Sequence, residues 1–150
     1  MGPGVSKGTL GGWIQNEFNL SHEGSCWVGG EARVYDDARV YGNARVFNMA
    51  QVFNMAQVSG EAWVFGKAKV SGNAWVSGEA QVYGKAKVYD EALVFDKAQD
   101  YDEANVYHKG RVFGWSQVSG EAQVYGKGRV FGWKKISGID LIYSEDKIPA

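Results

Sequence analysis

From Cys26 to about Ser137 the hydrophobic and polar positions follow a period of six, visible in EARVYD, DARVYG, NARVFN, MAQVFN, MAQVSG and EAWVFG. Written x-A-x-V-x-G, the apolar position is Val28, then every sixth residue to Val94, and again Val106 to Val130, ending at Ile136. Two residues earlier stands a small side chain: Cys26, Ala32 and onward to Ala104, then Gly110, Ser116, Ala122 and Gly128. A spacing of two places both side chains on one face of a strand, so the pair faces in. Two residues after each valine come glycines, replaced in places by Asp36, Asn48, Asn54, Asp90, Asp96, Asp102 and His108. These types tolerate a positive φ, which makes them corners. A helix would need an apolar period near 3.6 residues, which a strict six with a bend in each unit cannot supply.

Short strands that turn at a fixed angle build a solenoid. Closing after three strands gives a triangular cross-section with about 18 residues per coil. The array then makes roughly six coils, about 30 Å tall at the ~4.8 Å strand spacing. Alanine and valine suit so narrow a prism. Outward side chains one coil apart in sequence lie above one another. Three aromatic ladders follow: Phe47, Phe65, Tyr83 and Tyr101; Tyr89, Tyr107 and Tyr125; and Phe95, Phe113 and Phe131. The same spacing pairs Glu79 with Lys97, Lys85 with Glu103, and Glu91 with Lys109, and sets Arg45 between Trp27 and Trp63.

These residues resemble the hexapeptide-repeat family, and in particular its A-x-V-x-G-N variety from bacterial and phage-encoded proteins often labelled transferases. The likeness covers nearly the whole chain, because Gly8 to Val28 (GTLGGWIQNEFNLSHEGSCWV) is also similar to the usual lead-in of the phage-type group. It implies an all-β fold, the single-stranded left-handed parallel β-helix, and a trimeric habit. The left hand comes from the resemblance alone, since the general crossover rule favours the right hand.

The ends depart from the repeat. Residues 1–25 read as a lead and an N-terminal cap, in which Leu10, Trp13, Ile14, Phe18 and Leu20 cover the first coil's unpaired edge. Residues 26–138 form the solenoid. Beyond it, Lys134 and Asp140 take the inward small position, so that 139–150 read as a C-terminal cap and tail. A net charge of −1 over 150 residues gives no electrostatic reason to expect nucleic acid or an anionic membrane. With no apolar run of membrane length and no signal-peptide pattern, the expectation is a soluble, cytoplasmic protein. The single cysteine, Cys26, excludes an internal disulfide and reads as a buried thiol.

Candidate chemistry is sparse. Acyltransferases of the resembled family use a histidine base and hold the acyl donor between subunits, often beside a loop that interrupts the repeat. Here the histidines are His22, in the cap, and His108, at a corner above Asp90, and the repeat carries no inserted loop. The carbonic anhydrase branch needs three histidines on zinc, which two cannot supply. Asp90, Asp96 and Asp102 occupy three different corners and point apart, against a calcium site. Asp100 breaks the valine column and reads as either a locally relaxed or hydrated carboxylate or a selected one. The clearest exterior feature is F-G-W twice, Phe113-Gly114-Trp115 and Phe131-Gly132-Trp133, one coil apart and joined by Phe95. Exposed patches of this kind mark interfaces, unless Leu141, Ile142 and Tyr143 fold back over it.

We therefore expect a non-catalytic structural or binding module without cofactor or metal, self-associating as a dimer or trimer through Phe95, Phe113, Trp115, Phe131 and Trp133. Asp90, His108 and Asp100 are weaker candidates. The alternatives are an acyl- or nucleotidyl-type transferase with a site between subunits, and a protein that sequesters a small ligand in aromatic grooves.

Overall fold

The computed structural model describes residues 12–21 and 23–143. Each six-residue unit forms one two-residue strand, from Trp27–Val28 to Leu141–Ile142, preceded by Trp13–Ile14 and a short 3-10 turn, Glu17–Asn19. Among the described residues, 21 strands stack into three parallel sheets of eight, six and seven strands, the faces of a triangular prism. They make seven turns, one more than the repeat array suggests, because Trp13–Ile14 and Leu141–Ile142 extend the eight-stranded face at its two ends.

Backbone hydrogen bonds fix the register. From each hexad three N–H groups donate to the following coil, as Arg45 does to Ala62 O (2.9 Å), Phe47 to Val64 O (3.0 Å) and Met49 to Gly66 O (2.8 Å). Strand partners keep one constant separation throughout the array, as in Val46↔Val64 and Val82↔Asp100. In the first turn alone that separation is two positions longer, as in Ile14↔Val34 and Leu20↔Val40. Its two extra residues lie between Leu20 and Val28.

The inward pairs form the core as the alternation requires. Valines from Val34 to Val130 and alanines from Ala32 to Ala122 are completely buried. Corners also follow expectation: Asp36, Asn48, Asn54, Asp90, Asp96, Asp102 and His108 all hold φ between 52° and 60°. Glycine removes a close approach between coils at some of these corners. At Gly72, with φ of 64°, an added Cβ would lie 2.7 Å from the Asp90 nitrogen one coil on.

At the N-terminal end Ile14 and Leu20 pack on the core, whereas Trp13 and Phe18 remain on the surface. Trp13 leans on Tyr35, and Arg39 lies over the Phe18 ring. A polar residue does capping work the hydrophobic pattern does not reveal. Buried Asn19 donates its amide to Asp36 O (3.1 Å) and Ala38 O (2.8 Å), supplying donors that a preceding coil would otherwise provide. Leu10 lies outside the described residues. Cys26 is buried, its thiol 3.2 Å from Ser21 O, and burial pushes its pKa up, as befits an unreactive thiol. At the far end the register continues past Asp140, with Ile142 buried on Val124.

Asp100 points inward, fully buried between Val82 and Val118, and neither carboxylate oxygen has a hydrogen-bond partner. Local relaxation does not carry it outward. Buried Ser116, one coil on, shows the contrast, because its hydroxyl donates to Phe113 O at 2.7 Å. Desolvation holds the Asp100 carboxyl well above the usual carboxylate range. Below pH about 3 the acid is protonated in both folded and unfolded chains. As pH rises the unfolded chain releases its proton first, so this group lowers stability increasingly toward neutrality. Asp100→Val should therefore raise the melting temperature, by the equivalent of about 1–3 kcal/mol for the unsatisfied group in acid and by more at pH 7. Thermal unfolding of both proteins at the two pH values checks the sign; a gap that narrows toward pH 7 would refute it.

Candidate functional site

The FGW flank lies where the six-stranded face meets the seven-stranded one. Strand alternation sends Phe95, Phe113 and Phe131 outward from the six-stranded face, and the bend at Gly114 and Gly132 swings Trp115 and Trp133 onto the corner. The coil spacing stacks them. Phe95 and Phe113 are 4.9 Å apart, Phe113 and Phe131 5.5 Å, and Trp115 and Trp133 4.9 Å with planes 9° apart. Beneath the tryptophans Lys97 sets its Nζ 4.1 Å from the Trp115 ring centre and 3.5 Å from Glu79. One column thus runs carboxylate, ammonium, indole, indole. A recess of about 370 Å³ opens beside it, lined by Gly78, Glu79, Asp96, Lys97, Gly114 and Trp115.

The rings stay open to solvent. Trp115 is 47% exposed, Phe131 37% and Trp133 74%. The expected alternative, in which Leu141, Ile142 and Tyr143 fold over the patch, does not occur. Leu141–Ile142 pairs with Gln123–Val124 on the eight-stranded face, and Tyr143 lies 5.8 Å from Tyr125 there. Regular register carries these residues away from the tryptophans.

The other ladders also form. Phe47, Phe65, Tyr83 and Tyr101 stack at 4.8–5.0 Å, Tyr89, Tyr107 and Tyr125 at 5.0–5.3 Å, and Arg45 lies 5.8 Å from the Trp63 ring centre. Of the three axial ion pairs expected, Glu79–Lys97 closes; Lys85–Glu103 and Glu91–Lys109 do not reach ion-pair distance among the described residues. Sequence reasoning missed a second device. Tyr35, Tyr41, Tyr83, Tyr101 and Tyr107 each donate a hydroxyl to a glutamine 16 residues later, at 2.7 Å for Tyr107–Gln123 and 2.9 Å for Tyr41–Gln57. The Tyr-to-Gln spacing of 16 was the available signal. Burial, followed by the neighbouring Tyr101, pushes the Tyr83 hydroxyl pKa up, away from phenolate chemistry.

His108 takes part in a corner ladder. Asp96 Oδ2 accepts from the Gly114 N–H (3.1 Å), Asp102 Oδ2 from Gly120 (3.1 Å), and Asp90 Oδ2 from His108 itself (3.2 Å). His108 Nδ1 continues the series, accepting from Gly126 N–H at 3.4 Å, while Nε2 lies 3.9 Å from Asp90. The imidazole replaces a carboxylate or amide as acceptor for the next corner. Asp100 is on the interior, so the structure does not bring Asp90, His108 and Asp100 together as a site. Among the described residues no group of three His, Cys, Asp or Glu side chains could hold a metal ion. His22 lies outside the described residues.

Residues 32–46 and 38–53 match the family model described as YdcK Beta solenoid repeat. That match supports a repeat β-helix protein. No curated protein and no solved structure matches the chain. Among the described residues no helix is long and apolar enough to cross a membrane.

The corner role of His108 can be tested through stability. At φ of 52°, His108→Ala should cost about 1–2 kcal/mol and lower the melting temperature by several degrees, whereas His108→Asn, which keeps an acceptor and tolerates the angle, should be near neutral. Equal losses in both variants would show that the imidazole has partners beyond the ladder.

Proposed function

We propose that the chain is a non-catalytic structural or binding rod that self-associates through its aromatic flank. The observation that carries this reading is the exposed column Lys97–Trp115–Trp133 beside Phe113 and Phe131, in a prism whose other aromatic ladders are half-buried. Exposed stacked indoles bury a large apolar area on contact and lose little side-chain freedom, because the coil spacing already holds them. Also in favour is the use made of the polar groups. His108 Nδ1 and the carboxylates of Asp90, Asp96 and Asp102 serve backbone donors of the next coil, where a transferase would need them free for substrate.

Light scattering on the wild type and on the double variant Trp115→Ser, Trp133→Ser tests the reading. A wild-type oligomer that falls to monomer in the variant is the expected result. A wild-type monomer would overturn self-association, and would equally remove the between-subunit site that a transferase of the resembled type requires.

A further inference from the structure

We propose that two copies pair side by side and parallel, through their six-stranded faces, about a two-fold axis running along the prism. The inference rests on the self-association reading above and specifies its partner, its face and its direction.

The six-stranded face differs from the other two in how its outward side chains are used. On the eight- and seven-stranded faces the hydroxyls of Tyr35, Tyr83, Tyr101 and Tyr107 are taken up by glutamines of the same chain. On the six-stranded face that device ends with Tyr41–Gln57. From Trp75 onward its central columns carry Trp75 and Ser77, Leu93 and Phe95, Arg111 and Phe113, then Arg129 and Phe131.

The outward side chains of its last two rungs read in the same order across the face. One is Lys109, Arg111, Phe113, Trp115; the other is Lys127, Arg129, Phe131, Trp133. Each has a cationic half and an aromatic half. A two-fold axis between the second and third columns reverses the order in the facing copy. Lys109 and Lys127 then meet the second copy's Trp115 and Trp133, and the arginines meet its Phe113 and Phe131. Every cation faces a ring, and every ring a cation.

The rungs below obey the same operation. Glu91 meets the second copy's Lys97, Leu93 its Phe95, bulky Trp75 its small Ser77, and Arg39 its Tyr41, with no like-charge pair among them. Applied to the eight-stranded face, the operation would set Glu31 against Asp37; the seven-stranded face also passes without like charges, but there Trp115 would meet Glu121, so the pairing of cations with rings is what marks the six-stranded face. An antiparallel pairing of the six-stranded faces would set Arg39 against Arg129, and like charges directly opposite are unfavourable. Six rungs at about 4.8 Å, each about 20 Å wide, offer about 600 Å² per copy, and two such areas fall at the lower edge of what specific protein interfaces bury. The contact is isologous and closes at two copies.

The experiment combines mass with direction. Sedimentation of the wild type should give a dimer, and Arg111→Glu with Lys127→Glu, both at exposed positions, should halve the mass while leaving the circular dichroism spectrum unchanged. Spin labels placed singly at Lys67 and at Glu121, three rungs apart on the corner opposite this face, in a Cys26→Ala background, should then report the same interspin distance. A monomeric wild type overturns this proposal together with self-association. An oligomer whose two label distances differ, or whose mass ignores the charge reversal, overturns the parallel pairing through this face and leaves self-association standing.

Discussion

The hydrogen bonding between coils governs everything else in this molecule. Because three N–H groups of each hexad are spent on the coil that follows, neighbouring units cannot slide, and every side chain faces its own repeat partner at about one strand spacing. An interior built on that rule admits a narrow range of side-chain sizes at each inward position. Valine and alanine recur because each must fit both across the narrow prism and against its copies above and below. The exterior obeys the same rule with the opposite consequence. Any ring placed outward is offered the residue one coil later as a neighbour, so ladders form wherever the sequence repeats an aromatic, and planes within a few degrees of parallel follow from the backbone rather than from ring attraction.

That rule explains which parts of the structure could be read from the chain. The valine column, the small partner and the positive-φ corners are each set by one residue's own requirement, repeated many times, and all appear where the period places them. Features that depend on relations between residues were less visible. The tyrosine–glutamine pairs span 16 positions, diagonal to the repeat, and so escape a search at multiples of six. Nothing in the repeat marks Asn19, although it closes the carbonyl edge of the coil above it. Lys134 and Asp140 break the composition of the small position, while the register depends on the backbone and continues.

The candidate site was legible in part for the same reason. That Trp115 and Trp133 stack follows from their spacing; that they remain exposed does not, since it depends on where the residues after Ile139 travel. His108 shows the converse. Read as a residue type, it suggests a base, but its position in a column of side-chain acceptors gives Nδ1 a structural duty identical to that of Asp96 and Asp102. In a solenoid, a polar residue at a repeated position is best judged against the other members of its column before any chemistry is assigned to it.

Asp100 fails that comparison, and its column is the reason. Every neighbour in the register, Val82 below and Val118 above, is apolar, and no backbone donor turns inward to meet the carboxyl. In a globular core such a group could be relieved by a small shift of one loop. Here a shift would have to break the hydrogen bonds to both adjacent coils, so the strand stays in register and the carboxyl stays unsatisfied. Because a solenoid's stability is close to a sum of nearest-neighbour terms, the cost falls on the two interfaces that flank this coil and is not shared along the rod. The coils that carry Phe113, Trp115, Phe131 and Trp133 lie on the C-terminal side of that weak rung. Their hold on the rest of the prism is consequently looser than the uniform repeat suggests, and an interface across the six-stranded face, which spans both sides of the rung, would reinforce the rod at the place where its own core is weakest.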